Sequence, residues 1–239
     1  MKTSSRIAIL VSHGQPSAPP PAEIHLAYIA AQVSDHLSGW EVRSATLSSK
    51  GALDSAMADG AVIFPFFMAR GYFTARVLPD RLKGWQYRMA TPFGLLPDLP
   101  EATADLLRRE LVARNWDAAT AQILLAAHGS ARGPKAAEAA EAFASALRLA
   151  LPGPQISTGY VEQDPFIEAA AQPLGPHSLC LPFFAQSGDH VREDIPEALE
   201  AGAFPGALLP SLGAAPCAAA LIAEAIETAA DSALLGEDA

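Results

Sequence analysis

Short, uninterrupted apolar runs alternate along this chain with longer stretches in which Ala, Leu and Glu are mixed. Runs without polar alternation predict strands buried on both faces, as in a parallel sheet, and the longer stretches predict the helices that cover it. In the first half the predicted strands are Arg6–Val11, Glu41–Ala45, Ala61–Pro65 and Tyr87–Ala90, with helices at Ala22–Leu37, Leu53–Ala58, Thr74–Lys83 and Leu99–Asn115. In the second half they are Gln122–Ala127, Gln155–Gly159, Ser178–Pro182 and Ala207–Leu209, with helices at Pro134–Leu149, Pro165–Ala171, Val191–Ala201 and Ala214–Ala230. Gln15–Pro21 carries four prolines, too stiff for a helix start, and is expected to be a loop.

The two halves are written in the same order because they repeat. IAILVSHGQPS (7–17) matches QILLAAHGSAR (122–132), and FPFFMARGYFTARVLPDRL (64–82) matches LPFFAQSGDHVREDIPEAL (181–199). His128 follows His13 by 115 residues, Pro182 follows Pro65 by 117, and Pro216 follows Pro97 by 119. A nearly constant offset that grows slowly describes a duplication with small loop insertions. The expected architecture is α/β, with two similar half-domains, each a small parallel sheet flanked by helices, and a cleft between them. The repeat divides the chain into 1–117 and 118–239 with no long linker at Asn115–Asp117, and a monomer is expected because each half already has its partner.

Composition narrows the partners. Half of the residues are hydrophobic and only 18% are charged, which describes a packed globule. A net charge of −10 argues against nucleic acid or an anionic membrane, so an anionic ligand must be met by locally placed arginines. Two cysteines, Cys180 and Cys217, are too few for a disulfide framework, and Cys180 in LCLPFF reads as a core residue. No apolar run reaches the ~18 residues of a membrane span, and the amino-terminal run leads directly into the repeat, so a cytoplasmic protein is expected.

In open parallel sheets ligands bind beyond the carboxyl ends of the strands. His13 and His128 follow predicted strands there, each with a Gly that permits a sharp turn. His190 follows the strand Ser178–Pro182, and Glu162 follows Gln155–Gly159. Two imidazoles and a carboxylate from three strand ends suit a borderline divalent metal. The first half has Ser48 near the place of Glu162 and Phe73 at that of His190, so at most one such site is expected. Glu193 and Asp194 read as the acids that helix starts favour, while His25, His36 and His177 read as structural or surface residues. Arg132, Arg192 and Arg70 stand where they can meet substrate carboxylates.

At LLAAHGSAR and LPFFAQSGDHVREDIPEAL the chain resembles the class II tetrapyrrole chelatases, the sirohydrochlorin cobaltochelatase/ferrochelatase family, in its long tandem-half form. The resemblance spans nearly the whole chain through the duplication. It implies a chelatase-like fold and ATP-independent insertion of a divalent metal, Co2+ or Fe2+, into sirohydrochlorin or a related tetrapyrrole. The metal is then a substrate, and no permanently bound cofactor is implied. His128 and His190 are the matching functional residues, with Glu162 a weaker match; Ser130, Arg132, Arg192, Arg70 and His13 are the candidate contacts of the macrocycle. The chain departs from the family in placing Asp189 directly before His190 and in lacking a His-rich segment or cysteine cluster. Two other readings stand beside it: a non-catalytic tetrapyrrole or metal binder on the same fold, and a hydrolase using the Gly129-Ser130 turn, which lacks a G-x-S-x-G elbow.

Overall fold

The structure, a computed structural model, describes residues 6–16, 19–130 and 133–235. The first sheet holds β1 (Arg6–Ser12), β2 (Trp40–Thr46), β3 (Ala61–Pro65) and β4 (Tyr87–Met89), in the order β2-β1-β3-β4 and all parallel. The second holds β5 (Gln122–Ala127), β6 (Gln155–Tyr160), β7 (Ser178–Pro182) and β8 (Ala207–Leu208), in the matching order β6-β5-β7-β8. The apolar runs predict these strands because both faces of each sheet are covered: Ala8–Leu10 and Ile123–Ala126 are wholly buried.

Crossovers alternate with the strands. They are α1 (Pro19–Ser34), α2 (Ala52–Ala56), α3 (Leu78–Arg81) and α4 (Leu99–Ala113), then α5 (Lys135–Ala150), α6 (Ile167–Ala171), α7 (Ile195–Ala201) and α8 (Ala218–Ala230). Among the described residues no helix is long and apolar enough to cross a membrane. Helix α1 begins earlier than expected, on Pro19-Pro20-Pro21. The expected loop over Gln15–Pro21 is thereby shortened, because a first helical turn has no use for the N–H groups that proline lacks.

Two predicted helices open differently. Phe73–Val77 and His190–Asp194 are π-helical turns that lead into α3 and α7. Leu78 N–H reaches back five residues to the Phe73 carbonyl, and Ile195 N–H likewise to that of His190. One residue further on stand Pro79 and Pro196. A proline ring neither donates to nor fits against the carbonyl four residues behind it, so the preceding turn widens.

The packed units follow a different cut from the repeat boundary at 117/118. One unit is Met1–Leu96 with Pro216–Ala239, and the other is Pro97–Ala215. Helix α8 thus packs on α1, β3 and β4 of the first sheet, where Arg88 Nε also donates to the Ser232 carbonyl at 2.9 Å. Helix α4 packs on α5, with the Arg108 guanidinium bonded to the Ala150 carbonyl. Local periodicity marks where a helix is, but not which sheet its apolar face covers.

Candidate metal centre

In the second sheet β5 and β7 are neighbours although β6 lies between them in sequence, which makes their carboxyl ends a topological switch point. His128 leaves β5 there and His190 opens the π turn after β7. Glu162 arrives from the other side, because the β5–β6 ladder continues past the strands: Val161 N–H donates to Ala127 at 3.0 Å and Glu162 N–H to His128 at 3.0 Å. Donor atoms of His128, Glu162 and His190 all lie within 4.8 Å of one another. The two imidazoles meet edge to face at 4.5 Å, Glu162 Oε2 is 3.7 Å from His128 Nδ1, and each of the three side chains is 40–44% exposed.

The hydrogen bonds around the rings decide where their lone pairs are. His128 Nδ1 is 3.0 Å from the Gly129 carbonyl and His190 Nδ1 is 2.5 Å from Asp194 Oδ2. Both partners accept, so each Nδ1 carries a hydrogen, and in the neutral ring Nε2 is then the atom with a lone pair for a metal or a proton. The Gly129 carbonyl is turned toward His128 by a left-handed backbone, φ 68°, which glycine adopts without steric cost. A side chain there would strike Gln163 and Tyr160. Gln163 Oε1 in turn accepts the Ser130 N–H at 2.8 Å, which ties the β5 and β6 loops together.

Other expected site residues are placed differently. Arg192 is exposed and donates to Asp189 at 3.2 Å, so a substrate carboxylate must compete with that partner. Arg132 lies outside the described residues. Arg70 and His13 belong to the first unit. There His13 Nδ1 donates to the Gly14 carbonyl at 2.9 Å, and its ring meets Phe73 edge to face at 4.1 Å. Ser48 N–H donates to the His13 carbonyl at 2.9 Å, which puts Ser48 where the second unit has Glu162. The sequence places Asp194 at a helix start and does not single out Gln163. The four-residue spacing of His190 and Asp194 is the available signal for the first; nothing local marks the second.

The CbiX family model matches residues 122–229, the half that carries the three donors. A solved structure of CbiX, the terminal enzyme for biosynthesis of sirohaem in denitrifying bacteria, is 39% identical, with 94% of this chain and 99% of that one aligned and a TM-score of 0.85. The chain belongs to the CbiX family of class II tetrapyrrole chelatases. The same fold recurs at lower identity in SirB from Bacillus subtilis with Fe3+ (15% identical, TM-score 0.73, 95% of this chain and 96% of that one). It recurs also in the sirohydrochlorin chelatase SirB from Bacillus subtilis subspecies spizizenii in complex with cobalt (14% identical, TM-score 0.68, 94% and 95%). No curated protein matches by sequence. In this chain the His-Gly turn occurs twice, and the full donor set occurs once among the described residues.

Proposed function

We propose that this chain inserts a divalent metal ion into sirohydrochlorin without ATP, using His128, His190 and Glu162. The convergence of those three donors at one switch point carries the reading. The substrate reading is supported by the 39% identity, over nearly the full length, to a CbiX described as the terminal enzyme of sirohaem biosynthesis. Metallation exchanges two pyrrole protons for one M2+, so a chelatase must hold a partly hydrated ion and accept protons. The bare Nε2 of each histidine serves either step, and the Glu162 carboxylate adds an oxygen ligand or a further base.

Two ligands of one ion at bonds of ~2.1 Å stand no more than about 4.2 Å apart. A donor set spread up to 4.8 Å therefore has to draw in around its cargo. Half-exposed and three-membered, it leaves positions for the macrocycle nitrogens that replace the protein ligands. Two nitrogens and an oxygen suit Fe2+ and Co2+ alike; Fe2+ is the proposed cargo because the related CbiX forms sirohaem. Arg192, after leaving Asp189, together with Arg132 and Ser130, is assigned to the carboxylate rim of the macrocycle.

The test is a spectrophotometric metallation assay with anaerobic sirohydrochlorin and Fe2+ or Co2+, comparing wild type with His190→Ala. Acceleration by wild type alone is expected. A fully active H190A protein would refute the site, and a bound-macrocycle spectrum without acceleration would mean a binding protein.

A further inference from the structure

We propose that Asp194 is the positioning residue of this site: its carboxylate holds the His190 ring with Nε2 bare and directed to the metal. The inference rests on the metal-site reading above and adds a residue that the sequence places among the acids favoured at a helix start.

The two histidines are held by different acceptors. His128 Nδ1 is hydrogen-bonded to a neutral backbone carbonyl at 3.0 Å, with the Glu162 carboxylate farther off at 3.7 Å, and His190 Nδ1 is hydrogen-bonded to a carboxylate at 2.5 Å. An anionic acceptor fixes the tautomer more firmly and makes the opposite nitrogen the better donor. The carbonyl device is common to both halves, since His13 uses Gly14 as His128 uses Gly129. Of the three rings His13, His128 and His190, it is His190 whose Nδ1 is hydrogen-bonded to a carboxylate. In the matched π turn of the first unit, Phe73 replaces His190 and Val77 replaces Asp194.

That pairing separates the proposal from ordinary helix chemistry. Helices α3 and α7 both carry an acid in the first turn, Asp80 and Glu197, so the preference of helix starts for negative charge is met equally in both. Asp194 is additional to it. Nor does Asp194 fill the core: its side chain is 44% exposed and borders an open cavity of about 540 Å3 shared with Glu168 and Glu197. Loss of its contact to His190 therefore costs orientation and not packing.

The experiment uses the full chain. Long-range 1H–15N correlation of the metal-free protein reads the His190 tautomer, and titration with Co2+ followed by d–d absorption reads affinity. In wild type His190 is protonated on Nδ1. In Asp194→Ala the proton redistributes toward Nε2 and Co2+ affinity falls about 10- to 100-fold, and Asp194→Glu recovers part of both. An unchanged tautomer with unchanged Co2+ affinity in D194A would overturn the proposal. Binding lost in H190A but intact in D194A would sink the role of Asp194 alone, whereas binding indifferent to both variants would sink the metal-site reading beneath it.

Discussion

At the end of β1, His13 meets Phe73 edge to face at 4.1 Å; at the end of β5, His128 meets His190 at 4.5 Å in nearly the same attitude. The ladder bonds beneath them also correspond, Ser48 to His13 in one unit and Glu162 to His128 in the other. Backbone, His-Gly turn and π turn occur twice, while the set of three candidate donors occurs once among the described residues. The His-Gly turn is thus a structural device of this fold and by itself says nothing about metal. The residues on which the proposed chemistry rests are those by which the two copies differ: Glu162, His190 and Asp194 against Ser48, Phe73 and Val77.

The hardest test of that contrast is to remove the shared residue from each copy. His128→Ala should lower the metallation rate about 10²- to 10⁴-fold, the range associated with a lost proton acceptor, and His13→Ala should cost far less. Equal losses would mean that the two turns are chemically equivalent after all. The converse experiment builds the missing donors. Ser48→Glu with Phe73→His should raise Co2+ stoichiometry from one to two per chain, because the first scaffold already holds both positions around His13. Calorimetry that still counts one site would show that the scaffold alone does not suffice and that the buttress lost at Val77 is needed as well.

Much of this contrast is legible in the residues. The central strands β1, β3, β5 and β7 announce themselves because parallel strands buried on both faces read as unbroken apolar runs. The edge strands, such as β2 (WEVRSAT) and β6 (QISTGY), are partly exposed and carry polar residues. The three candidate donors can be picked out because each lies in the segment that follows a strand, His128 directly after β5, Glu162 after β6 and His190 after β7, and strand ends share one edge. What is not legible has a common cause. The start of α1 on three prolines and the π turns before Pro79 and Pro196 depend on which N–H groups the backbone can spare. The allotment of α4 and α8 to their packed units depends on apolar faces meeting far apart in sequence. Asp194 satisfied a local rule for helix starts, which concealed its bond to His190.

A smaller effect sharpens the structural half of the comparison. Gly14 and Gly129 both have left-handed backbone, φ 77° and 68°. Alanine at either should cost about 1–3 kcal/mol from conformation alone. The collisions differ. A Cβ on Gly14 would run into Ser48 Oγ and meet Thr46 Cβ at 2.7 Å, with Thr46 buried, whereas on Gly129 the first contact is the Gln163 side chain at 2.7 Å. G14A should therefore be the less stable of the two in urea denaturation. If the turn is a device shared for folding, both variants lose stability; a G129A protein as stable as wild type would show that the second turn is kept for its chemistry.

The smallest expected effect concerns Cys180, a residue with obvious metal-binding chemistry that the comparison excludes from the site. Cys180 on β7 stands where β3 has Ile63, and both are wholly buried. Burial pushes its thiol up to about 12, and since the thiolate is the form that attacks reagents or binds metal, the group is inert at neutral pH. A thiol reagent at mildly alkaline pH should label only the partly exposed Cys217 in the native protein and both cysteines after denaturation. Cys180→Val, a core substitution of similar volume, should leave Co2+ affinity and metallation at wild-type values and change stability by less than about 1.5 kcal/mol. Loss of Co2+ binding in that variant would bring a sulfur ligand into the site, and the contrast between the two copies would then reach down into the strands themselves.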